Sequence, residues 1–368
     1  MPIIPRAIAA QPWVPLITAG ALASIGFITL YSAAGGKLMP WAFPHIARFG
    51  VFLMLGLALS YVRPSWFKET VVFAYAGTMV LLVVVLIIGT IGGGARSWIE
   101  FGPLRIQPSE LMKPILVIAL ATFYSMLPPR NIRTFGAIWP AAAMIGVPVA
   151  VILLQPDLGT SLLLTFSGIT VMFLAGLPLR LFLGGAAAVA VGVPAIFPFL
   201  LPHQKERILI LLDPSQDPLG AGYHITQSTI AIGSGGITGQ VFLNGTQSHL
   251  NFLPEQHTDF IFAAMAEEWG LLGGIVVLVG LGLLLRWGIQ VALAAKGRYE
   301  MLAAAGLSSI IFFYAAINLL MVVGLAPVVG IPLPFLSWGG SAMMTVMICL
   351  GLLMGIDRHT RRDRSPRH

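Results

Sequence analysis

Residues 202–260 read PHQKERILILLDPSQDPLGAGYHITQSTIAIGSGGITGQVFLNGTQSHLNFLPEQHTDF and lie between two segments that are apolar enough to cross a lipid bilayer. Glycine, hydroxyl, amide, histidine and acidic side chains collect here in an otherwise apolar chain. A connection of roughly 50 residues is far longer than usual, and such connections are commonly functional or disordered. Apolar residues at 208–212 and 225–232 indicate an ordered one. It ends at Asp259, whose carboxylate lies at the start of the next apolar helix. This residue is our principal catalytic candidate.

The composition excludes a water-soluble fold. Of the 368 residues, 57% are hydrophobic and 10% are charged, and the mean hydropathy is +0.89. Too few polar side chains remain to cover a soluble surface. The net charge of +7 does not indicate nucleic-acid binding, because most Lys and Arg residues lie at the ends of apolar segments. The single cysteine, Cys349, excludes an internal disulfide. We expect a retained first span, since no clear cleavage site follows the first apolar stretch.

Segments of about 20 apolar residues predict membrane-spanning helices. The sequence contains ten, so we predict an all-α polytopic membrane protein with ten transmembrane helices and a large outer loop between helices 7 and 8. We expect a single membrane domain over residues 1–368, with an extracytoplasmic loop at 202–258 and a basic, disordered cytoplasmic tail at 357–368. The predicted spans are 14–33, 45–62, 71–91, 109–127, 135–154, 161–177, 181–201, 259–285, 301–325 and 335–356.

The distribution of charge predicts the orientation of these spans. With the N-terminus inside, 14 of the 21 Lys and Arg residues fall on the cytoplasmic side. Such an excess favours cytoplasmic N- and C-termini (N-in/C-in) and an even number of spans. Most acidic residues, including Asp157 and Asp259, fall on or near the outer face instead. We therefore expect the active site on that face.

A second polar segment, GGGARSWIEFGPLRIQPSELMKP, covers residues 92–114. It places Arg96 on a turn that starts with glycine, and Glu110 in the first turn of a helix. Lys113 lies three residues further on and hence on the same face as Glu110. The two could form a structural ion pair between helices or belong to a site for a substrate phosphate. Glu110 could also simply favour the helix N-terminus.

Two further charged residues are candidates for the same site. Asp157, in LLQPDLGTS, could cap the next helix, join a network with Lys113 or Arg96, or do both. Arg48 follows His45 by one turn and could either reach lipid headgroups or grip a phosphate.

The glycines of the long loop and the acidic residue at the start of the next helix can each be interpreted in two ways. The glycines of residues 220–239 could expose backbone N–H groups as a nest for an anion, or belong to a re-entrant helix with no catalytic duty. Asp259 could be a helix cap or a catalytic acid. Glu267 and Glu268 lie deeper in the helix and point away from Asp259. No Cys-rich set and no His-Glu-x-x-His pattern indicates a transition-metal site.

Six runs together resemble the SEDS family of bacterial cell-wall proteins: FGPLRIQPSE, QPDLGTS, LLDPSQDPLGAGYHITQS, AIGSGGITG, GTQSHLNFLPEQHTDFIFAAMAEEWG and GIPLPFLSWGGS. The likeness covers nearly the whole chain and is nearest to the elongation (RodA-type) branch. The division branch fits less well, since no long cytoplasmic N-terminal extension is present. The resemblance implies a multi-pass glycosyltransferase of the bacterial inner membrane, which polymerises lipid II into β-1,4 glycan strands for cell elongation and rod shape.

The resemblance also implies roles for individual residues. Asp259 matches the essential acid and would act as base from the periplasmic or extracytoplasmic face. Glu110, Lys113 and Asp157 match the charged cavity group, and Arg48 and Arg96 are weaker matches as diphosphate contacts. The remaining candidates for glycan or loop contacts are Gln227, Ser234, Thr246, Gln247, Ser248 and His257. One local departure is Trp338, where the family often has Tyr.

Partners and cofactors follow from the same resemblance. We expect a class B penicillin-binding protein transpeptidase against helices 8 and 9, other membrane proteins of the elongation complex, and lipid II, but no nucleic acid. We expect no tightly bound cofactor; a divalent cation, Mg²⁺ or Mn²⁺, could arrive with the diphosphate. A lipid II flippase and a non-catalytic scaffold for the transpeptidase are the alternatives.

Overall fold

The computed structural model describes residues 11–92, 95–101, 104–199, 205, 217, 220–243, 245, 252–253 and 255–364. Within these ranges the chain is mostly helical. Its helices are α1 Trp13–Ala33, α2 Ala42–Leu59, α3 Pro64–Ile88, α4 Pro108–Met126, α5 Phe135–Leu153, α6 Leu158–Leu174, α7 Leu179–Ile196, α8 Ala221–Gly235, α9 Ile261–Ala294, α10 Arg298–Val322 and α11 Gly340–Arg364. Short 3-10 turns follow α4 and α7, at Pro129–Asn131 and Phe197–Phe199.

Eight of the described helices are long and apolar enough to cross a membrane: α1 to α5 and α9 to α11. Two shorter apolar helices accompany them, α6 and the Leu179–Gly192 part of α7. The chain is therefore a polytopic helical membrane protein. Helices α4, α10 and α11 form its centre, because 72%, 67% and 78% of the residues in their most apolar stretches are buried. In α2 and α3 the share is only 22%.

Local sequence explains where several helices begin and end. Proline occupies the first turn of α3 and α4, where its missing N–H costs nothing. For that reason α3 begins at Pro64 rather than at 71. The last helix begins at Gly340 rather than at 335, since Ser337 first closes a turn with Leu333. It then continues to Arg364, so the expected disorder of the tail is wrong for residues 357–364.

The all-α prediction missed a small antiparallel sheet between α3 and α4. Strands β1 (Thr90–Gly92), β2 (Ala95–Phe101) and β3 (Leu104–Ile106) pair in the order β1-β2-β3. Glu100 and Arg105 face each other across β2 and β3 and form an exposed ion pair of 2.6 Å. Opposite charges at such positions favour pairing. The sheet places Arg96 on β2 rather than on the turn that we predicted.

Helix α8 lies within the long loop and packs beside a break in α9. Gly270 interrupts α9 with φ 64° and ψ −162°, a conformation open only to glycine. The N–H groups of Leu271 and Leu272 are then free of their own helix and donate to the carbonyl oxygens of Gly236 and Ile237, at 2.9 and 3.2 Å. The end of α8 thus replaces the hydrogen bonds that the break removes, as backbone at membrane depth requires.

Arg298, the first residue of α10, joins two other helix ends. Its guanidinium donates to the carbonyl oxygens of Leu127 (3.3 Å) and Ala175 (2.9 Å), which directly follow α4 and α6. Carbonyls at a helix C-terminus have no donor in their own helix and attract a cation. The contact therefore stabilises the packing of three helices at one membrane surface.

We expect Arg298→Met to lower the free energy of unfolding by about 1–3 kcal/mol, because two partly buried carbonyl groups lose a charged donor. Thermal unfolding of the purified protein in detergent measures the effect as a lower midpoint. The matched control is Arg286→Met, at an exposed position of α9, which should change stability by less than about 0.5 kcal/mol. Equal midpoints for the two variants would show that the contact contributes nothing.

Candidate active site

Asp259 lies in the turn formed by residues 255–260, immediately before α9. Phe260 is the N-cap of α9 and no side chain caps this helix, so Asp259 is not the cap that we considered. Its carboxylate faces Gly330: a methyl group placed on Gly330 would lie 3.6 Å from Asp259 Oδ2. Gly330 also has φ 66°, which favours glycine. The backbone at Gly330 therefore lies close to the Asp259 carboxylate, with no side chain between them.

The Asp259 carboxylate is partly buried and has no ion-pair or hydrogen-bond partner among the residues that the structure describes. Burial raises the pKa of Asp259 to about 7, and the negative charge of Glu255 in the same turn adds to the increase. Removing a carboxylate from water disfavours its charged form. Asp259 can therefore both accept and release a proton near neutral pH.

An aromatic stack brings Arg48 to the Asp259 turn. The rings of Trp41 and His257 lie parallel at 4.4 Å, and the backbone N–H of Trp338 donates to the His257 carbonyl oxygen at 2.9 Å. The Arg48 guanidinium lies over the Trp338 ring, 4.6 Å from its centroid, a typical cation–π distance. Trp338, the departure from the family pattern, thus holds the predicted cation. His257 is stacked between aromatic side chains, and burial lowers its pKa.

Glu110 and Lys113 form a closed network deep in the protein. Lys113 Nζ lies 2.6 Å from Glu110 Oε1 and 2.6 Å from the Tyr314 hydroxyl. The Tyr314 and Thr345 hydroxyls both donate to Glu110 Oε2. All four residues are buried. The network joins α4, α10 and α11, so the structural ion pair that we considered is present.

Asp157 caps α6 and also contacts α4. Its Oδ1 accepts the Thr160 N–H at 3.0 Å, which confirms the predicted cap, and its Oδ2 accepts from Gln107 at 2.9 Å. The adjoining Gly159 packs so closely on the Val329 carbonyl that a side chain there would overlap it. The segment that includes Gly330 therefore separates the start of α6 from Asp259.

The contacts described for Arg96 and Ser234 do not include Asp259 or Glu110. Arg96 is exposed and its guanidinium contacts the Ile87 carbonyl oxygen at 3.4 Å. Gln227 is partly buried in α8, and the Ser234 hydroxyl donates to its own helix at Ala231. Outside the described residues lie Thr246, Gln247 and Ser248.

The glycine run does not form the anion nest that we considered. Gly235 and Gly239 pack directly on the backbone of α9, and a side chain at either position would overlap a carbonyl group there. The N–H groups of Gly239 and Gln240 donate to the carbonyl oxygens of Gly235 and Glu267, at 2.8 and 3.0 Å. These glycines permit close backbone approach, and residues 221–235 form a helix, as one of the two interpretations predicted.

Three functional neighbours could not be found from the sequence. The Tyr314 and Thr345 hydroxyls donate hydrogen bonds to the Glu110 carboxylate. Asn318 donates to the carbonyl oxygens of Asp259 and Ile331. All three lie within apolar helices and carry no motif. Only the four-residue spacing of Tyr314 and Asn318, which puts both on one face of α10, hints at a shared polar surface.

The described residues include no group of three or more His, Cys, Asp or Glu side chains that could hold a metal ion. Magnesium at enzyme sites typically uses one or two carboxylates together with substrate phosphates.

A family model described as "Cell cycle protein", FTSW_RODA_SPOVE, matches residues 12–362. The chain belongs to this family. The resemblance to the SEDS proteins is thereby confirmed over almost the whole length.

Relatives and solved structures agree with the assignment to the FtsW/RodA/SpoVE family. The peptidoglycan glycosyltransferase MrdB of Escherichia coli is 41% identical over 318 residues, 86% of this chain and 85% of that protein. One chain of a peptidoglycan synthase complex superposes with a TM-score of 0.84 at 32% identity, covering 96% of this chain and 99% of its own. The Thermus thermophilus rod shape determining protein RodA gives 0.71 at 28% identity, with 95% and 97% coverage.

Proposed function

We propose that this chain is a peptidoglycan glycosyltransferase of the elongation type, which polymerises lipid II into β-1,4 glycan strands. The observation that carries the proposal is the Asp259 carboxylate, which is partly buried without a partner among the described residues. Its turn is joined through Trp338 to the Arg48 cation. A general base for a sugar hydroxyl needs an available carboxylate that ionises near the working pH. The relative from Escherichia coli that is named for this activity adds support.

Asp259 is the base in the mechanism that we propose. The 4-hydroxyl of the acceptor GlcNAc attacks the anomeric carbon C1 of the donor MurNAc. A new C1–O4 bond forms as the bond from C1 to the diphosphate oxygen breaks. Asp259 takes the hydroxyl proton, and undecaprenyl diphosphate leaves with the bonding electron pair. Attack opposite the leaving group inverts the α linkage to β.

Arg48 is the best placed cation for the leaving diphosphate. Negative charge develops on that group as the bond breaks, and a cation already held in place lowers the barrier. The Trp338 ring fixes the guanidinium without neutralising it. Arg96, exposed on β2, supplies a second cation at the outer surface. Lys113 is already paired with Glu110, so we assign that pair, with the Asp157 cap, to holding α4, α6, α10 and α11 together.

A divalent cation would enter this mechanism only as part of the substrate. Mg²⁺ or Mn²⁺ carried by the diphosphate would add charge stabilisation to that supplied by Arg48. No step above requires it.

We propose a class B penicillin-binding protein as the partner, held against the helices predicted as spans 8 and 9, which are α9 and α10. A chain of a peptidoglycan synthase complex is among the structural neighbours. The part of α9 directly after Gly270 carries a row of exposed apolar side chains, including Leu271, Leu272, Ile275 and Val276. Such a face suits either lipid or another apolar helix. Other membrane proteins of the elongation complex would join through this partner.

We place the protein in the bacterial inner membrane with ten spans, N-in/C-in, and its active face periplasmic or extracytoplasmic. Two apolar helices, α6 and α7, added to the eight longer ones give the ten spans. The excess of basic residues at the ends assigned to the cytoplasm supports the orientation.

The test is polymerisation of purified lipid II by the native chain fused to its cognate class B partner. Long glycan strands are the expected product. If no polymer forms while lipid II crosses liposome membranes that contain the protein, the chain is a flippase. If neither occurs although the partner is bound, the chain is a scaffold.

A further inference from the structure

Asn318 joins the Asp259 turn to the segment opposite the carboxylate. It lies in the last turns of α10 and is completely buried. Its Nδ2 donates to the carbonyl oxygen of Asp259 at 2.8 Å and to that of Ile331 at 2.7 Å. A side-chain amide has two N–H donors, and both are used here. One amide group thus fixes two backbone segments that are distant in sequence.

Both segments border the proposed site. One carbonyl belongs to Asp259 itself, and the other belongs to the residue after Gly330, which the carboxylate faces. Without Asn318, the backbone hydrogen bond from Trp338 to His257 would still join the turn to the segment after Ile331, but no hydrogen bond would hold Asp259 itself to that segment. The distance between Asp259 and its opposite wall therefore depends on this amide.

Helix α10 gives Asn318 a rigid base. Tyr314 lies four residues earlier on the same face and is locked to Glu110 and Lys113. Sites built on packed helices hold their groups more accurately than sites on loops. Asn318 transmits this rigidity directly to the Asp259 backbone, whereas the Trp338 hydrogen bond and the Trp41 stack hold the same turn at His257.

We propose that Asn318 is a positioning residue for the transfer reaction: it holds Asp259 at the place where the acceptor hydroxyl must lose its proton. This inference rests on the proposed function, with Asp259 as base. A misplacement of about 1 Å can cost about 100-fold in rate. Since Asn318 is buried and reaches only backbone, it should affect the chemical step much more than the binding of lipid II.

The experiment compares Asn318→Leu with Ser228→Ala in the fusion with the partner protein. Leucine has nearly the size of asparagine but no donor. Ser228→Ala likewise removes a buried hydrogen bond to a backbone carbonyl at the end of α10, but that carbonyl belongs to Val322 and not to the Asp259 turn or the segment opposite it. We expect both variants to lower the thermal midpoint. Only Asn318→Leu should lower kcat, by about 10- to 100-fold, with the KM for lipid II within about threefold of native.

Asn318→Ser, which keeps one donor, should give an intermediate kcat and serves if the leucine variant does not fold. A folded Asn318→Leu or Asn318→Ser variant with kcat within twofold of native would overturn the proposal. So would a Ser228→Ala variant with the same loss of kcat, because the effect would then be general to the end of α10. Asp259→Asn in the same assay separates the hypothesis for Asp259 from that for Asn318. If Asp259→Asn keeps native activity, Asp259 is not the base. If Asp259→Asn is inactive while the Asn318 variants are fully active, only the role of Asn318 fails.

Discussion

Asp259→Asn is expected to reduce the rate of lipid II polymerisation by about 10²- to 10⁴-fold, the contribution typical of a general base. An amide has the shape of the carboxylate but cannot take the proton of the acceptor hydroxyl at neutral pH. The hydroxyl would then attack without a base. The assay is the amount and length of glycan made by the purified fusion with the partner protein.

The fold should survive this substitution. The carboxylate has no hydrogen-bond or ion-pair partner among the described residues, so the amide removes no contact. Burial raises the pKa of Asp259 from 3.8 to about 7, which means that the ionised carboxylate costs folding stability above its unfolded pKa. A neutral amide removes that cost, so the thermal midpoint at pH 8 should be equal or higher.

Glu255→Gln is the matched control, because Glu255 is an exposed acid of the same turn. It should keep the rate at pH 8 within about threefold of native, where Asp259 is ionised in both proteins. Native and Asp259→Asn proteins that make equal amounts of polymer would eliminate Asp259 as the base.

Lys113→Met should destabilise the protein by about 3–5 kcal/mol, the cost typical of leaving one partner of a buried ion pair uncompensated. Lys113 is 1% exposed and Glu110 is 5% exposed, so water cannot replace the lost ammonium group. The Tyr314 and Thr345 hydroxyls would remain directed at Glu110, but they supply no positive charge. Thermal unfolding in detergent, followed with the native protein alongside, measures the change.

The double variant Glu110→Gln/Lys113→Met identifies what the pair does. Removing both charges should recover most of the lost stability, since two neutral side chains need no counter-charge. A stable double variant that still polymerises lipid II would show that the pair is structural, as we propose. A stable but inactive one would return Lys113 to the diphosphate site. If the Lys113→Met variant alone unfolds at the same temperature as the native protein, the proposed role of this network is wrong.

The features of the fold that could be predicted are those set by local composition. Apolar length predicted the helices, and proline at the first turn of α3 and α4 explains their starts. The spacing of Glu110 and Lys113 predicted their contact, because residues three apart share a helix face. Asp157 was predicted as a cap from a short polar residue before a helix.

The features that were missed depend on contacts between distant parts of the chain. Nothing around Gly270 shows that α9 breaks there, because the break is stable only when the end of α8 supplies hydrogen bonds. The sheet at 90–106 is too short for its alternation to outweigh the flanking glycines. Asn318 is an ordinary polar residue in an apolar helix until the fold brings Asp259 and Ile331 to it.

The dependence of the polymerisation rate on pH, at saturating lipid II, tests the central claim most directly. With a pKa of about 7 for Asp259, the rate should rise through pH 7 to a plateau, and at pH 6 it should be roughly a tenth of the plateau. Glu255 raises this pKa, and His257, the other titratable group of the turn, has its own pKa lowered by burial. Glu255→Gln should therefore move the midpoint to lower pH. A rate that stays flat from pH 5.5 to 8.5, or a midpoint that Glu255→Gln leaves in place, would contradict Asp259 as the base.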